Sequence, residues 1–416
     1  MHSYKIIHLS FLLGLSTVGL AQKEATPNFQ DIEKKLQTQF ILAEAGDVIL
    51  LEEGNFRFKG SLSMDDKKNI TIRGKGMDKT ILSFKGQTEG AEGLHISNGT
   101  NITLEGFTVQ DSKGDGIKVK DTDGITFRDI KVVWTDKAGQ PSSREENGGY
   151  GLYPVMCNNV LIEKCETRGA SDAGIYVGQS KNIIVRNNRV TQNVAGIEIE
   201  NSQMADVYDN DTYQNTGGIL VFDLPGLAIK KGGNTRVYNN RVRENNFRNF
   251  APKGNIVAKV PSGTGIMVLA TSGVEIFNNQ ITNNRTINTS IVSYYITEEP
   301  IKDTLYDPYP TAIYIHDNTY QRQKRSPSLK SRMGKLLFLK FGKQVPDILY
   351  DGIVNTQLKE ANGKVKPEAQ ICLRNNGNAT FANLDAENKF KNISRDMTPY
   401  NCEHQPLKAA SLSLKE

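Results

Sequence analysis

The sequence predicts an all-β solenoid of stacked parallel coils. Three observations carry that prediction: a repeated strand motif, a second apolar strand after each copy, and an asparagine-rich corner of fixed spacing behind it. The motif is a small residue, an apolar one, any residue and another apolar one. It recurs as Gly93-Leu94-His95-Ile96, Gly116-Ile117-Lys118-Val119, Gly151-Leu152-Tyr153-Pro154-Val155, Gly174-Ile175-Tyr176-Val177, Gly196-Ile197-Glu198-Ile199, Gly218-Ile219-Leu220-Val221, Gly265-Ile266-Met267-Val268 and Ala312-Ile313-Tyr314-Ile315. The intervals between first residues are 23, 35, 23, 22, 22, 47 and 47, so four of seven match one turn of a three-strand coil.

The second strand is visible as Ile102 to Leu104, Ile125 to Phe127, Val160 to Ile162, Ile183 to Val185, Val207, Val237 and Val274 to Ile276. Behind it come Asn188-Val190-Asn193, Asn210-Thr212-Asn215, Asn240-Val242-Asn245 and Asn279-Ile281-Asn284, each with offsets of 0, 2 and 5. Equivalent positions in successive coils lie about 4.8 Å apart, so each amide can bond its neighbours above and below. In earlier coils Phe107, Ile130 and Cys165 hold the first ladder position, which places Cys165 in the core.

On these motifs the chain, from Asp47 to Ile315, resembles the right-handed parallel β-helix superfamily, the pectate-lyase-like solenoids. It is most similar to secreted bacterial parallel β-helix repeat proteins of unassigned activity. The resemblance implies a single-stranded right-handed parallel β-helix. It implies no single reaction, because the same scaffold serves lyases, epimerases, hydrolases, adhesins and a periplasmic copper-maturation factor.

Composition agrees with a solenoid: 37 glycines and an apolar content of only 38% suit an elongated molecule with much surface per residue. A basic Lys5, the broken apolar run Ile6 to Leu20 and the small residues of Gly19-Leu20-Ala21 read as a cleaved leader, residues 1–21, so export to the periplasm or the medium is expected. No later stretch reaches the roughly 20 apolar residues of a transmembrane helix. The leader also disfavours nucleic acid as a partner. Loss of Lys5 takes the net charge from +5 to +4, a small excess that an acidic polysaccharide tolerates.

Residues 22–46 form the expected N-terminal cap, with Phe29, Ile32, Leu36 and Phe40 at helical spacing. The β-helix is expected over 47–320, and 321–416 should hold a basic insertion and an irregular C-terminal cap. In that last part Lys324, Arg325, Lys330, Arg332, Lys335, Lys340 and Lys343 surround Leu336-Leu337-Phe338-Leu339, an amphipathic cap helix or a surface insertion. Cys372 and Cys402 are expected to pair, while Cys157 and Cys165 either pair or stay buried as thiols.

Insertions in a solenoid become loops, and loops build binding faces. Thr135 to Tyr150, Asn246 to Thr264 and Arg285 to Thr311 all enter between the Asn-rich strand and the Gly-Ile strand, so they should wall one edge of a floor formed by the coils from Gly174, Gly196 and Gly218. Asp223 to Asn234 leaves the other end of that floor. The outward column of the floor reads His95, Lys118, Tyr153, Tyr176, Glu198, Leu220, Met267 and Tyr314, and should be exposed.

Asp172, Tyr176, Glu198 and Glu200 are the candidate catalytic groups; Tyr153, Arg248, Lys253 and Lys259 are the candidate substrate contacts. Carboxylates at Asp172 and Asp115 could hold Ca²⁺, although no compact calcium loop is present. Elimination or epimerisation of a uronate needs cations to neutralise its carboxylate and a base for the C5 proton, whereas glycoside hydrolysis needs two carboxyls. A polysaccharide lyase, epimerase or hydrolase is thus expected. A carbohydrate-binding or cell-envelope structural solenoid is the alternative. A metallocofactor-maturation factor comes third, because His95 and His316 are isolated.

Overall fold

A computed structural model describes residues 29–414, and the expected leader lies outside them. The chain winds into a parallel solenoid with two sheets, one of 19 and one of 11 strands. The smaller sheet is the floor: Leu62–Asp65, Leu94–Ser97, Ile117–Lys120, Tyr150–Val155, Ala173–Gly178, Ala195–Glu200, Gly217–Phe222, Thr264–Leu269, Ile287–Val292, Ile348–Tyr350 and Phe381–Asn383. Every named pairing between strands is parallel, and coil follows coil in register, with Ile175 beside Ile197 and Ile197 beside Ile219. Inward Ile, Val and Leu from both sheets fill one continuous core.

Two bends per coil turn the larger sheet, and each is made by a residue in the left-handed region: Asn187, Asp209, Asn239 and Asn278 before the first ladder, Gln192, Gln214, Glu244 and Asn283 before the second. Inside the bends the asparagines stack. Asn188 Nδ2 donates to Asn210 Oδ1 at 2.9 Å, Asn210 to Asn240 at 3.0 Å and Asn240 to Asn279 at 3.0 Å. The ladder runs on through Asn318 to Asn376. A second ladder joins Asn193, Asn215, Asn245 and Asn284. Asn210→Ala takes the acceptor from the Asn188 backbone N–H, one of two partners from the Asn188 side-chain amide and a donor from the Val185 carbonyl, all of them buried. We therefore expect a loss of about 3 kcal/mol in chemical denaturation, and an unchanged midpoint would contradict the ladder's role.

The motif glycines answer to close coil contact. A Cβ on Gly196 would stand 2.5 Å from the Gly218 carbonyl oxygen, and one on Gly218 would stand 2.7 Å from that of Gly265.

The first helix, α1 (Phe29–Leu42), covers the open end as expected. Leu36 and Phe40 enter the core, and Gln37 exchanges two hydrogen bonds with the edge strand at Ser63. The second, α2 (Arg332–Phe341), is N-capped by Ser331, so the basic segment does form a helix. Cys372 and Cys402 are joined by a disulfide, and Cys157 and Cys165 are buried free thiols. The final residues run back along the larger sheet, with the Leu407 amide on Glu275 and the Ser413 amide on Asn159.

Two expectations need correction. Ala312-Ile313-Tyr314-Ile315 is not a floor strand: Thr311–His316 belongs to the larger sheet, where Ile313 pairs with Val274. Ala312 has a φ of 54°, the left-handed slot that Gly273 and Asn182 occupy in sister strands. The floor strand of that coil is Ile287–Val292, inside the expected insertion. Its glycine slot holds Asn288, which bonds Asn284 and Asp347, and its inward apolar slot holds Thr289, which reaches Tyr320. The coils also continue past 320, because Ile371–Arg374 and Phe381–Asn383 still pair in register.

Candidate active site

The correction moves a wall. Residues 134–149 and 246–263 rise from one edge of the floor, but 293–310 leaves from the opposite edge, beside 223–232. Walls on both edges can meet over the middle, and they do. Lys259 Nζ reaches across to the Thr297 carbonyl and to Glu299. Lys230 pairs with Asp303 at 2.8 Å, and the Tyr306 hydroxyl donates to the Asp223 carbonyl at 2.6 Å. Phe250, Val257 and Val260 from one wall and Tyr294 and Tyr306 from the other pack on Tyr176, Leu220 and Phe222 of the floor.

The outward column is therefore covered at Tyr176, Glu198, Leu220 and Met267, while His95, Lys118 and Tyr153 are half-buried. Tyr176 retains 5% of its accessible surface, Glu198 1%, Glu200 7% and Asp172 7%. Tyr176 and Glu198 do lie side by side on neighbouring strands. What the alternation of a strand fixes is the face a side chain takes, and what lies over that face depends on distant loops.

Under the cover sits a cluster of acids and phenols. Tyr150, Tyr153 and Tyr176 meet with ring centroids 4.5, 4.6 and 5.0 Å apart. The Tyr176 hydroxyl donates to Glu200 Oε1 at 2.6 Å, and Asn255 Nδ2 donates to Asp172 Oδ2 at 2.8 Å. Glu198 Oε2 and Asp223 Oδ1 are buried with no hydrogen-bond partner. Asp115 accepts the Tyr150 amide at 3.2 Å, and Gly149 lies between Asp115 and Asp172.

Burial dominates the electrostatics. Loss of water pushes Asp172 up to about 7, aided by the nearby Asp115 charge and opposed by the Asn255 and Tyr150 hydrogen bonds. It pushes Glu200 up to about 7 against its Tyr176 bond, Asp223 to about 7 and Asp115 to about 6. Glu198 is raised well above its ordinary value, by burial first and then by Asp172 and Glu200. Burial also raises Tyr153 to about 12 and raises Tyr150 and Tyr176 further, with the acids adding to the effect. Among the described residues no ion pair involves Asp115, Asp172, Glu198, Glu200 or Asp223. Burial without an ion-pair partner favours the neutral form of these acids.

The candidate cations stand elsewhere. Arg248 donates to the Ser143 carbonyl at 2.8 Å and lies over the rings of Phe247 and Phe250. Lys259 fastens the two walls, and Lys253 is exposed on the wall's turn with no ion pair among the described residues. None of the three forms an ion pair with a floor carboxylate among the described residues. Nor do the acids fit calcium. Asp172 is buried on an amide donor, and among the described residues no group of three or more His, Cys, Asp or Glu is arranged to hold a metal. Tyr150, Asn255, Asp223 and Tyr306 complete the site and were not singled out from the sequence. Of these, only Asp223, directly after the outward Phe222 at the end of a floor strand, carried a positional signal.

The coil architecture is that of a right-handed parallel β-helix, and residues 68–224 match the family model described as a right-handed β-helix region. No curated protein sequence matches it. Among solved structures it is similar to the A-module of a mannuronan C-5 epimerase from Azotobacter vinelandii, at 14% identity and a TM-score of 0.49 over 83% of this chain and 90% of that one. It is also similar to a DFA-IIIase from Arthrobacter chlorophenolicus, at 12% identity and a TM-score of 0.47, covering 80% and 92%. A third is the catalytic unit of a GH87 α-1,3-glucanase from Streptomyces thermodiastaticus, at 13% identity and 0.46, covering 79% and 48%. No helix among the described residues is long and apolar enough to cross a membrane.

Proposed function

We propose that this is an exported glycan-processing protein whose chemistry is carried by Asp172, Glu198 and Glu200 under a cover that opens to admit the chain. The observation that carries the reading is a set of buried carboxyls without an ion pair, Glu198 and Glu200 on one floor strand and Asp172 just before the neighbouring one, where burial pushes Asp172 and Glu200 up to about 7. A carboxyl with such a pKa holds its proton at neutral pH and releases it readily, which is what a general acid at a glycosidic oxygen requires. An ionised partner can then act as base or nucleophile. Tyr150, Tyr153 and Tyr176 offer ring faces for stacking on a sugar and hydroxyls for orienting it.

Hydrolysis is the first reading because it needs only the two carboxyls, whereas uronate elimination or epimerisation needs a cation at the sugar carboxylate as well. Export rests on the leader-like N-terminus and on the Cys372–Cys402 disulfide, which suits an oxidising compartment. The test is a panel of neutral and acidic polysaccharides with three readouts: reducing sugar for hydrolysis, absorbance of unsaturated ends for elimination and proton exchange at C5 for epimerisation. Reducing sugar from a neutral glycan is expected. Binding to one polymer without product in any readout would make the protein a carbohydrate-binding module instead.

A further inference from the structure

Toward the C-terminal end of the floor a second space opens that the carboxyl site does not use. It is a cavity of about 480 Å³ bordered by Leu269, Val292 and Leu349 of the floor, Val260 of the wall, Leu336 of α2 and Phe390. The volume is that of a small-molecule site. Its apolar interior is unsuited to a sugar, whose ring hydroxyls would lie unpaired against these side chains. One polar group faces this space from the floor: Ser290, 1% exposed, whose hydroxyl has no hydrogen-bond partner. A buried hydroxyl left unpaired calls for an oxygen acceptor on whatever fills the cavity.

The rim carries the opposite chemistry. Arg332 lines the opening with its side chain 85% exposed, partnered by Glu298. It belongs to the segment 321–343, which displays seven exposed basic residues, Lys324, Arg325, Lys330, Arg332, Lys335, Lys340 and Lys343, and contains no acid. On the same helix Leu339 is 80% and Phe338 40% exposed. An apolar chamber, one unpaired interior hydroxyl and an arginine at the opening describe one kind of ligand. We propose that this cavity binds a single-chain anionic acyl lipid: the chain fills the chamber, an ester carbonyl accepts from Ser290, and a phosphate head rests at Arg332. None of the residues that would contact the lipid belongs to the carboxyl cluster, and Val260 of the wall borders both spaces.

The probe is 1-palmitoyl lysophosphatidic acid below its micelle concentration, titrated by calorimetry and counted by native mass spectrometry. Palmitoylglycerol serves as the uncharged comparator. One bound lysophosphatidic acid per chain is expected. Arg332→Gln, at an exposed position, should weaken it at least fivefold and leave the uncharged comparator unchanged. Ser290→Ala should weaken both lipids, and Leu336→Trp, which fills the chamber, should abolish both with the melting temperature as the check on folding. Absence of binding by the folded parent would overturn the site. So would binding that Leu336→Trp leaves intact. Adsorption to vesicles of anionic phospholipid that survives Leu336→Trp, without uptake of the monomer, would assign the basic face to a membrane surface and also overturn the cavity site.

Discussion

At pH 7.5, Glu200→Gln is expected to lower glycan turnover at least a hundredfold while leaving the melting temperature equal to the parent's or higher. The two halves have separate causes. Glutamine keeps the shape and still accepts the Tyr176 hydroxyl bond, but it can neither hold nor release the proton that a general acid transfers, an effect of about 10²–10⁴ in rate. A hundredfold corresponds to about 2.7 kcal/mol of lost transition-state stabilisation. In the closed site Glu200 must stay neutral or ionise at a cost, because no cation faces it and burial has raised its pKa to about 7. The amide is neutral at every pH and escapes that cost. A variant that lost activity and stability together would point to a structural role for Glu200. One that lost neither would remove it from the site.

The second large effect is on pH dependence. Asp172, Glu200 and Asp223 bind their protons near pH 7 in the folded chain, against ordinary values of 3.8, 4.5 and 3.8. Below about pH 3 the folded and unfolded chains are both protonated and these groups cost nothing. As pH rises from there, the unfolded chain releases protons that the closed site retains, so stability falls until about pH 7 and then levels off. The loss is on the order of several kcal/mol for the three together, spread over closure of the walls and global folding. The melting temperature should be several degrees higher at pH 5 than at pH 8, and protease cleavage within 246–263 and 293–310 should be faster at pH 8. Glu163 and Asp303, held below their ordinary values by hydrogen bonds, titrate beneath this window and do not contribute to the trend. Asp172→Asn combined with Glu200→Gln should make the profile shallower, leaving the part carried by Asp223. A parent more stable at pH 8 than at pH 5 would contradict the neutral-acid cluster.

How much of this was legible in the sequence follows from which interactions are local to the repeat. The Asn188 and Asn193 ladders were readable because an amide that bonds its own copy one coil away must recur at one spacing. Cys165 was placed in the core by the same logic, and the Asn188 Oδ1 does accept its amide. The strand Ile287–Val292 was hidden because Asn288 and Thr289 replace the glycine and isoleucine of the motif, with polar partners on remote residues Asp347 and Tyr320. Thr311–His316 imitated the motif by chance of its Ala312. The face of Tyr176, Glu198 and Glu200 was also readable, since side chains alternate along a strand. Their burial was not. It depends on Val257, Val260 and Tyr306 arriving from loops whose sequences carry no period, and with that burial came the raised pKa values.

The most direct measurement is a crystal structure of Glu200→Gln soaked with an oligosaccharide from whichever polymer the parent degrades. The account predicts the two walls parted at Lys259 and Glu299, a sugar ring against Tyr150 or Tyr176, and a glycosidic oxygen within hydrogen-bond reach of Glu198, Asp172 or Gln at position 200. A sugar bound elsewhere on the solenoid, with the walls still closed over Glu198, would contradict it.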